Sequence, residues 1–455
     1  MLNRSFDHKV TAKVQNSKKI YIETYGCQMN VSDSEIVASI LTDKGYAHTR
    51  EVAEADIVLV NTCSIRENAE DRVRKRLHYF KSLRKKKPHL IIGLLGCMAD
   101  RTKTALMEEE QLLDLVAGPD SYRHLPQLLA QVGSGQKAID TILSIDETYA
   151  DINPVRIDSN GVSAFISIMR GCENYCSYCV VPSTRGQERS RDAASIVRES
   201  IDLFDKGYRE ITLLGQNVNS FHWKSGDEVI TFAHLLEMVA KVSPLMRIRF
   251  ATSHPKDISN ELLHTLAAHS NLCKAIHLPV QSGSNHMLDL MNRKYTREDY
   301  MERIETIRRI LPGCAISTDI ITGFCNETEE DHRETLSLME WVGYDAAFMF
   351  KYSERPQTLA ADTLQDNVPG ETKERRLTEI IHLQQKLSLA CNRNEIGKTL
   401  EILVEGQSKR SESQYFGRSS QNKVAVFTKT DAGPGSYAQV KISNATSATL
   451  LGEVV

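Results

Sequence analysis

The sequence of 455 residues has no long hydrophobic run, no excess of either charge and no repeated or low-complexity segment. Its first twenty residues lack the apolar segment of a secretory signal, and no uncharged apolar run approaches the length that spans a bilayer. We therefore expect a cytoplasmic protein without a membrane partner; a mitochondrial presequence is the alternative, disfavoured because the segment is not Arg-rich. With 56 Lys and Arg against 59 Asp and Glu, any nucleic-acid surface must be local.

Three segments with different patterns of apolar and polar residues follow one another, and together they predict an α/β protein. Between residues 18 and 134, strands alternate with helices, which predicts a parallel-sheet domain with strands at Ile20 to Thr24, Ile57 to Val60 and Leu90 to Leu95. A polar stretch at 131–161 predicts a linker. From 158 to 390, six short apolar runs alternate with helical segments, which indicates a partial (β/α)6 barrel of the TIM type. Residues 393–455 have short alternating runs between turn residues and predict a small β-barrel, with strands at Leu400 to Val404, Val424 to Phe427, Ala438 to Ile442 and Thr449 to Val454.

Ten cysteines are present, and without a secretory signal they favour metal ligands or buried thiols over disulfides. Cys172, Cys176 and Cys179 follow the first predicted barrel strand in the segment RGCENYCSYC. Three thiolates at this spacing can hold three corners of a 4Fe-4S cluster and leave the fourth iron open for a ligand. A zinc site or unrelated thiols are the alternatives, although zinc usually takes four ligands in paired Cys-x-x-Cys spacing and no second pair follows.

Cys-x-x-x-Cys-x-x-Cys after the first strand of a six-unit barrel resembles the radical S-adenosylmethionine (SAM) superfamily. The resemblance implies that the open iron binds SAM, that one electron cleaves it, and that a 5′-deoxyadenosyl radical abstracts hydrogen from the substrate. It also implies a contact between Tyr178 and the SAM adenine, although the same tyrosine fits a packing role. The further SAM contacts that it implies, which ordinary turn chemistry would also explain, are Gly215, Gln216, Asn217, Gln281, Ser282, Gly283 and Ser284.

One segment departs from the superfamily pattern. Where Gly-Phe-Pro-Gly-Glu-Thr is general, this chain has Cys325 and Asn326 in place of the Pro and Gly. The shape of that turn is therefore open, while no ligand is lost.

A second set of cysteines is dispersed along the N-terminal segment. Cys27, Cys63 and Cys97 each lie a few residues beyond a predicted parallel strand, and such strand ends share one edge of a sheet. Three converging thiols again fit a 4Fe-4S cluster with an open iron, and three separate buried thiols are the alternative.

The segments YGCQMN, NTCSIRENAE and LLGCMA are similar to the N-terminal domain of the methylthiotransferases. This resemblance covers the chain from about residue 18 to the C-terminus. It implies that the second, auxiliary cluster carries the sulfur, that one SAM methylates this sulfur and that another SAM is the radical source.

The methylthiotransferases divide by substrate. YGCQMN, CSIRE and VPSTRGQERSR are most similar to the branch that acts on carbon 2 of N(6)-isopentenyladenosine next to the tRNA anticodon. A threonylcarbamoylated adenosine in tRNA and an aspartate of a ribosomal protein are the alternative substrates. We expect the partners to be the anticodon stem-loop, SAM and an electron donor such as flavodoxin, and we expect a monomer.

Three regions are candidates for RNA contact. The C-terminal segment resembles the TRAM domain, and its cations Lys409, Arg410, Arg418 and Lys423, with Tyr415 and Phe416 between them, suit phosphate contact and base stacking or a solvated surface. Arg185, Arg189 and Arg191 suit a phosphate or the SAM carboxylate. The basic run from Arg72 to Lys87 is either a solvated helix face or an RNA surface.

Two hypotheses come from other classes of function. An iron–sulfur scaffold or electron-transfer protein that only binds RNA would need four cysteines at each cluster. A radical SAM enzyme that acts on a protein stays open, because the C-terminal module suits either partner. The four remaining cysteines are assigned to packing: Cys273, Cys314, Cys325 and Cys391.

Overall fold

The computed structural model describes residues 17–63, 67–101, 112–157, 159–431 and 433–455. Two compact units divide these residues. One unit holds the chain up to Leu143 together with Ile152–Val155, and the other holds Ser144–Asp151 and Arg156–Val455. Within the described ranges, no helix is both long enough and apolar enough to cross a membrane.

The first unit is a parallel sheet with helices between its strands, in the order β2-β1-β3-β4-β5-β6. Its elements are β1 (Lys19–Thr24), α1 (Gln28–Asp43), β2 (Ala47–His48), β3 (Ile57–Asn61), α2 (Glu67–Lys86), β4 (Ile91–Leu95), β5 (Leu115–Ala117), α3 (Leu125–Gly133) and β6 (Ala138–Asp140), with short 3-10 turns at Val52–Glu54 and Tyr122–His124. The central strands β3 and β4 are buried along their whole length, as parallel strands covered on both faces must be.

The predicted parallel sheet is confirmed, but its far edge was missed. Strands β5 and β6 extend the sheet beyond β4, and β6 lies inside the stretch predicted as a linker. The linker prediction is therefore wrong for Ala138–Asp140. Three-residue strands between polar residues are too short to show a hydrophobic period, and only their pairing with a neighbour defines them.

The second unit contains two groups of three parallel strands. The first group is β7 (Ser163–Ser167), β10 (Glu210–Leu214) and β13 (Arg247–Phe250), and the second is β14 (Ala275–His277), β15 (Ala315–Thr322) and β16 (Ala346–Lys351). A parallel bridge between Ile248 and Leu272 connects the groups. The partial (β/α)6 barrel is thus confirmed, with one continuous apolar core.

Helices and short strands connect the barrel strands. The helices are α4 (Val181–Arg185), α5 (Ala193–Asp205), α6 (Phe232–Ala240), α7 (Asn260–Ala268), α8 (Asn285–Leu290), α9 (Arg297–Ile310), α10 (Glu329–Val342), α11 (Leu359–Thr363) and α12 (Gly370–Arg393). The short strands are β8 (Met169–Arg170), β9 (Arg189–Ser190), β11 (His222–Ser225) and β12 (Glu228–Thr231), and 3-10 turns lie at Val218–Ser220 and Pro255–Asp257. Helices α9 and α10 begin with capping boxes at Thr296 and Thr328, which define their start.

The C-terminal residues form a closed barrel in the order β17-β18-β19-β21-β20. Its strands are β17 (Thr399–Gln407), β18 (Gln414–Arg418), β19 (Val424–Thr428), β20 (Tyr437–Ala445) and β21 (Leu450–Val454). The predicted small β-barrel is confirmed. Strand β18 was missed because Gly417 weakens its pattern, yet the glycine is required there: a Cβ at Gly417 would lie 2.0 Å from the Leu403 carbonyl oxygen.

This small barrel packs against the amino-terminal end of the larger one. Arg247 Nη1 donates to the Arg418 carbonyl at 2.6 Å, and Arg249 Nη2 donates to the Ser419 carbonyl at 2.7 Å. Lys423 Nζ lies 3.0 Å from Asp345 Oδ1, immediately before β16. The carboxyl end of the larger barrel, where chemistry is expected in such folds, lies at the opposite end of these strands.

Candidate cluster and cofactor sites

Cys172, Cys176 and Cys179 lie between β8 and α4, at the carboxyl end of the first barrel strand. Gly171 starts the loop with φ +78, and a Cβ there would lie 1.9 Å from the Gln187 carbonyl oxygen. The loop then folds back on itself, because the Cys179 N–H donates to the Cys176 carbonyl at 3.0 Å. Only glycine can occupy position 171, so the sequence RGC is a requirement of the loop geometry.

The three thiols influence one another. Burial raises the pKa of the Cys172 thiol, and burial followed by the charge of Cys176 raises the pKa of Cys179 to about 12. Among the described residues, no group of three or more His, Cys, Asp or Glu side chains is arranged to hold a metal ion. In a cubane cluster each thiolate would bind a different iron atom, so the three sulfurs need not meet at one metal position. Three soft thiol donors on one loop fit such a cluster.

Arg293 places a buried positive charge beside this loop. Its Nη1 donates to Cys176 Sγ at 3.1 Å and to the Tyr178 hydroxyl at 3.3 Å, and its Nη2 donates to the Pro279 carbonyl at 2.8 Å. The side chain forms no ion pair with a carboxylate among the described residues, although it is 3% exposed. The sequence gives no signal for Arg293, because a single arginine forms no spacing pattern.

Tyr178 lies at the end of the same loop. Its ring packs edge-to-face against Phe324 with centroids 6.5 Å apart, next to a small apolar cluster that includes Met287 and Tyr352. The packing role considered for Tyr178 is therefore present, and contact with an adenine stays a prediction.

The residues after β10 present unsatisfied acceptors at the carboxyl end of the barrel. The Asn217 amide nitrogen donates to Asp257 Oδ2 at 2.7 Å, but its Oδ1, like Oε1 of Gln216, is buried without a hydrogen-bond partner in the described structure. Gly215 allows this turn to approach β8, since its Cβ would lie 2.4 Å from Met169 Cγ. Such acceptors fit a ligand with several donors, such as the amino group and ribose of SAM.

The residues after β14 divide into two groups. Gln281 has φ +74 and a buried Oε1 that is also without a partner among the described residues. In contrast, the Ser282 hydroxyl bonds Thr335 Oγ1 at 3.1 Å and the Ser284 hydroxyl donates to Asp331 on α10. These two hydroxyls are satisfied within the protein, which argues against the SAM contacts predicted for Ser282 and Ser284.

The second set of cysteines lies at the carboxyl ends of neighbouring strands in the parallel sheet. Strands β1, β3 and β4 are parallel neighbours, and Cys27, Cys63 and Cys97 follow them directly. Gly26 has φ +111 and its Cβ would lie 2.3 Å from the Cβ of Cys63, so the turns that carry Cys27 and Cys63 touch. The three cysteines therefore follow adjacent parallel strands at the same end of the sheet, and their convergence on one cluster stays a prediction.

A polar network surrounds this edge. Asn61 Nδ2 donates to the Asn30 carbonyl and to Ser34 Oγ, both at 2.9 Å. Asn61 Oδ1 and Thr62 Oγ1 are buried without a partner in the described residues, and a Cβ at Gly96 would lie 2.3 Å from that Oδ1. Three thiols, tight glycine turns and unsatisfied polar atoms fit a bound cluster. The sequence signal that was overlooked is a glycine directly before Cys27 and Cys97.

Most of the arginines and lysines predicted to bind RNA are engaged inside the protein. Arg185, Arg189 and Arg191 are 2 to 6% exposed, and Arg191 Nη1 pairs with Glu199 at 2.6 Å. Arg418 pairs with Glu405, and Lys423 pairs with Asp345 and Glu395. These positions argue against phosphate contact by Arg185, Arg189, Arg191 and Lys423. The Arg418 side chain is 37% exposed, and Lys409 and Arg410 are exposed in the loop between β17 and β18, so RNA contact by these three stays a prediction.

Comparisons with known families cover the three regions separately. Residues 19–118 match the uncharacterized protein family UPF0004, residues 166–339 match the radical SAM superfamily, and residues 393–455 match the TRAM domain. Among solved structures, the radical S-adenosylmethionine methyltransferase TsrM from Kitasatospora setae has a TM-score of 0.57 at 15% identity and covers 76% of this chain and 74% of its own. That likeness shows the fold.

Curated relatives match almost the whole chain. A tRNA-2-methylthio-N(6)-dimethylallyladenosine synthase of Bacteroides fragilis is 58% identical over 98% of this chain and 97% of its own. Proteins of the same description from Amoebophilus asiaticus and Chloroherpeton thalassium are 56% and 55% identical over 96% of this chain, and over 93% and 96% of their own. At this identity and coverage, the chain belongs to the tRNA-2-methylthio-N(6)-dimethylallyladenosine synthase family.

Proposed function

We propose that this protein transfers a methylthio group to carbon 2 of N(6)-isopentenyladenosine next to the tRNA anticodon, with two SAM molecules as methyl donor and radical source. The observation that carries the proposal is the pair of three-cysteine sets, each at the carboxyl ends of parallel strands in a separate unit. The relatives that share 55 to 58% of its residues support the isopentenyl substrate over the threonylcarbamoyl and ribosomal-protein alternatives.

Each set of cysteines would hold one 4Fe-4S cluster with an open iron. When bound, the cluster at Cys172, Cys176 and Cys179 supplies the electron that cleaves SAM, and the cluster at Cys27, Cys63 and Cys97 carries the sulfur. The SAM-facing groups that we propose are those with unsatisfied buried acceptors or a close backbone, together with the aromatic neighbour of the loop: Gly215, Gln216, Asn217, Gln281 and Tyr178.

The protein's own residues hold and shield this site. Arg293 fixes the sulfur of Cys176 and the Tyr178 hydroxyl with one guanidinium, which limits the freedom of the cysteine loop. Phe324 packs on Tyr178 and on Tyr352, whose ring centroid lies 4.8 Å away, and so forms an apolar side of the site. An apolar boundary excludes water, which would otherwise hydrolyse a reactive intermediate.

The remaining parts of the proposal concern organisation and partners. We place the N-terminal domain from about 18 to 140, beyond the predicted end at 134 because β6 joins its sheet, the radical SAM core at 158–390 and the TRAM domain at 393–455. The partners are tRNA, SAM and an electron donor such as flavodoxin, the protein acts as a monomer, and its location is the cytoplasm.

The two cysteine sets give the decisive experiment. Anaerobically reconstituted wild-type protein should contain about eight irons, and replacing Cys176 by Ala should leave about four and abolish reductive SAM cleavage. Replacing Cys63 by Ala should also leave about four irons, but 5′-deoxyadenosine should still form while methylthio product disappears. Iron analysis and mass spectrometry of the nucleosides measure these outcomes.

Cys273 is the matched control for both variants, since it is buried and belongs to neither set. Cys273→Ala should keep about eight irons and both activities. Formation of 5′-deoxyadenosine by the Cys176→Ala protein, or of methylthio product by the Cys63→Ala protein, contradicts the assignment of the corresponding cluster.

A further inference from the structure

Helix α2 carries the strongest local positive charge in the sequence. Nine of the sixteen residues from Arg72 to Lys87 are Lys or Arg, and none is acidic. The apolar side chains Val73, Leu77 and Phe80 are completely buried in the core of the first unit. The opposite side of the helix is exposed to solvent.

The structure separates eight of these nine cations, all except Arg74, into two groups. Arg76 donates to both oxygens of Glu23 at 2.9 Å, Arg84 pairs with Asp114, and Lys87 donates to the Ala55 carbonyl at 3.1 Å. These three attach the helix to its own sheet, so their charge has a structural explanation.

The cations of the second group point away from the sheet. Arg72, Lys75, Lys81, Lys85 and Lys86 are exposed, and none forms an ion pair with a carboxylate among the described residues. Arranged by helical spacing, Lys75, Tyr79, Ser82 and Lys86 follow at intervals of four, three and four residues and lie in one line, with Arg72 one turn before Lys75. We call this line the α2 stripe. Tyr79 is 42% exposed within it, and the Arg76 guanidinium lies 4.3 Å from the centroid of its ring.

The length of the stripe indicates the shape of its partner. From Arg72 to Lys86 the helix rises by about 21 Å, which is much longer than one phosphate group and comparable to several successive phosphates of a nucleic-acid helix. The Ser82 hydroxyl donates to the Tyr79 carbonyl at 2.7 Å, so the groups of this line that can donate to a partner are the cations and the Tyr79 hydroxyl. Cations and a hydroxyl donor are groups with which proteins contact a nucleic-acid backbone without reading bases.

We infer that the α2 stripe binds the sugar–phosphate backbone of a double-helical stem of the tRNA substrate. This inference rests on the proposed function, because the substrate class comes from there. The charge complementarity is local: the chain as a whole has a net charge of −3, yet the sixteen residues from Arg72 to Lys87 include nine cations and no acidic residue. A helical stem is the chosen partner, since a single-stranded loop would not follow a straight line of this length.

The test compares two double variants by fluorescence anisotropy with full-length substrate tRNA at several salt concentrations. Lys75→Gln with Lys86→Gln should weaken binding about five- to thirtyfold at moderate salt, and the slope of log affinity against log salt should fall by about 1.5. Lys224→Gln with Lys386→Gln is the matched control, because both lysines are exposed and without an ion pair among the described residues, and both lie outside the stripe. The control should change neither quantity.

A neutral variant separates charge from hydrogen bonding. Tyr79→Phe removes only the hydroxyl, so binding should weaken about two- to fivefold while the salt slope stays at the wild-type value. A short single-stranded oligonucleotide that contains the target adenosine should bind wild-type protein and the lysine variant equally.

The outcomes distinguish this inference from the proposed function. If the lysine variant and the control pair behave alike on tRNA, the stripe is not a binding surface, even where methylthio product forms normally. If the stripe variants lose affinity but wild-type protein makes no methylthio product, the stripe stands and the proposed activity fails. If wild-type protein does not bind tRNA, both are overturned.

Discussion

Asn326 replaces a glycine of the superfamily pattern, and the backbone conformation of the turn is kept. The family motif has glycine at this position, and Asn326 adopts a left-handed backbone with φ +65, which asparagine tolerates better than most residues. Its backbone N–H donates to Asn367 Oδ1 at 2.9 Å, and its side-chain Oδ1 accepts from Asn367 Nδ2 at 2.7 Å. The Gly323 N–H still donates to Glu327 Oε2 at 2.6 Å within the same turn. The departure from the motif is therefore compensated locally.

We expect Arg293 to influence the reduction potential of the cluster at Cys172, Cys176 and Cys179. Replacing it by Met removes a charged donor from Cys176 Sγ, and hydrogen bonds to the sulfurs are one of the factors that set the potential of such clusters. A loss of about 1.4 kcal/mol corresponds to a potential about 60 mV more negative for a one-electron couple. Redox titration followed by electron paramagnetic resonance measures the shift.

Arg293→Lys keeps the charge but not the forked geometry, so we expect a smaller shift than for Met. Iron content is determined first in both variants, which separates a change in potential from loss of the cluster. A fully loaded Met variant with the wild-type potential would show that Arg293 acts only in packing.

At the scale of elements, the sequence predicts those strands whose own pattern is complete and misses those that depend on a neighbour. Buried β3 and β4 carry continuous apolar runs and were predicted within one residue of their ends. Strand β6 is three residues long and exists because Leu115–Ala117 offers a free edge for pairing. The same reasoning applies to β18, whose glycine breaks the pattern and allows close packing.

No sequence motif predicts how the small barrel attaches to the large one. Arg249 lies within β13, pairs with buried Glu210 at 2.8 Å and donates to two carbonyls of the turn after β18. Arg249→Met should destabilise the unit by about 3 to 5 kcal/mol, because it leaves a buried carboxylate without its partner. We expect a lower thermal midpoint and faster proteolysis between α12 and β17.

Two further variants test this explanation. Arg249→Met combined with Glu210→Leu should recover much of the loss, since an apolar pair replaces an unpaired charge. Arg198→Gln is the control, because Arg198 is exposed and its nearest carboxylate oxygen, on Asp192, is 3.6 Å away. Equal destabilisation by the single and the double variant would mean that the backbone contacts, not the ion pair, hold the two barrels together.

At the scale of the whole molecule, the sequence predicts the positions of the two three-cysteine sets in the fold, and it names the Arg72 to Lys87 run as a candidate RNA surface, but it does not tell which single cations face a partner. The spacing of the cysteines and their positions after strands indicate both three-thiol sets. Ligands of one site must lie at the same end of the fold, and here each set follows the carboxyl ends of parallel strands. A cation has no such relation: Lys423 and Arg185 look like phosphate ligands in the sequence, but one is in an interdomain ion pair and the other is buried. Only burial and pairing separate structural cations from those that face a partner.

Substrate choice is the prediction at this scale. Hydrogen abstraction from carbon 2 of an adenine requires that the base leave the anticodon loop, and loop bases are the easiest in tRNA to splay out. The isopentenyl group, with its branched five-carbon tail, would bury roughly 100 to 150 Å² at about 25 cal/mol/Å², contributing about 3 kcal/mol toward holding the base in an apolar site. Since 1.4 kcal/mol corresponds to a factor of ten, tRNA that carries this group should be modified about a hundredfold more efficiently than tRNA without it.

Threonylcarbamoyl-adenosine should react poorly, because its carboxylate would lose its hydration in the same apolar surroundings without a partner. The three tRNAs are compared side by side with protein that contains about eight irons, and methylthio nucleoside is quantified by mass spectrometry. Because all three share one anticodon stem, their affinities for the α2 stripe should be similar, so the hundredfold difference should lie in modification and not in salt-dependent binding. Equal turnover of the unmodified tRNA, or a preference for the threonylcarbamoyl form, would assign the protein to another substrate while leaving the two three-cysteine sites and the stem contact unchanged.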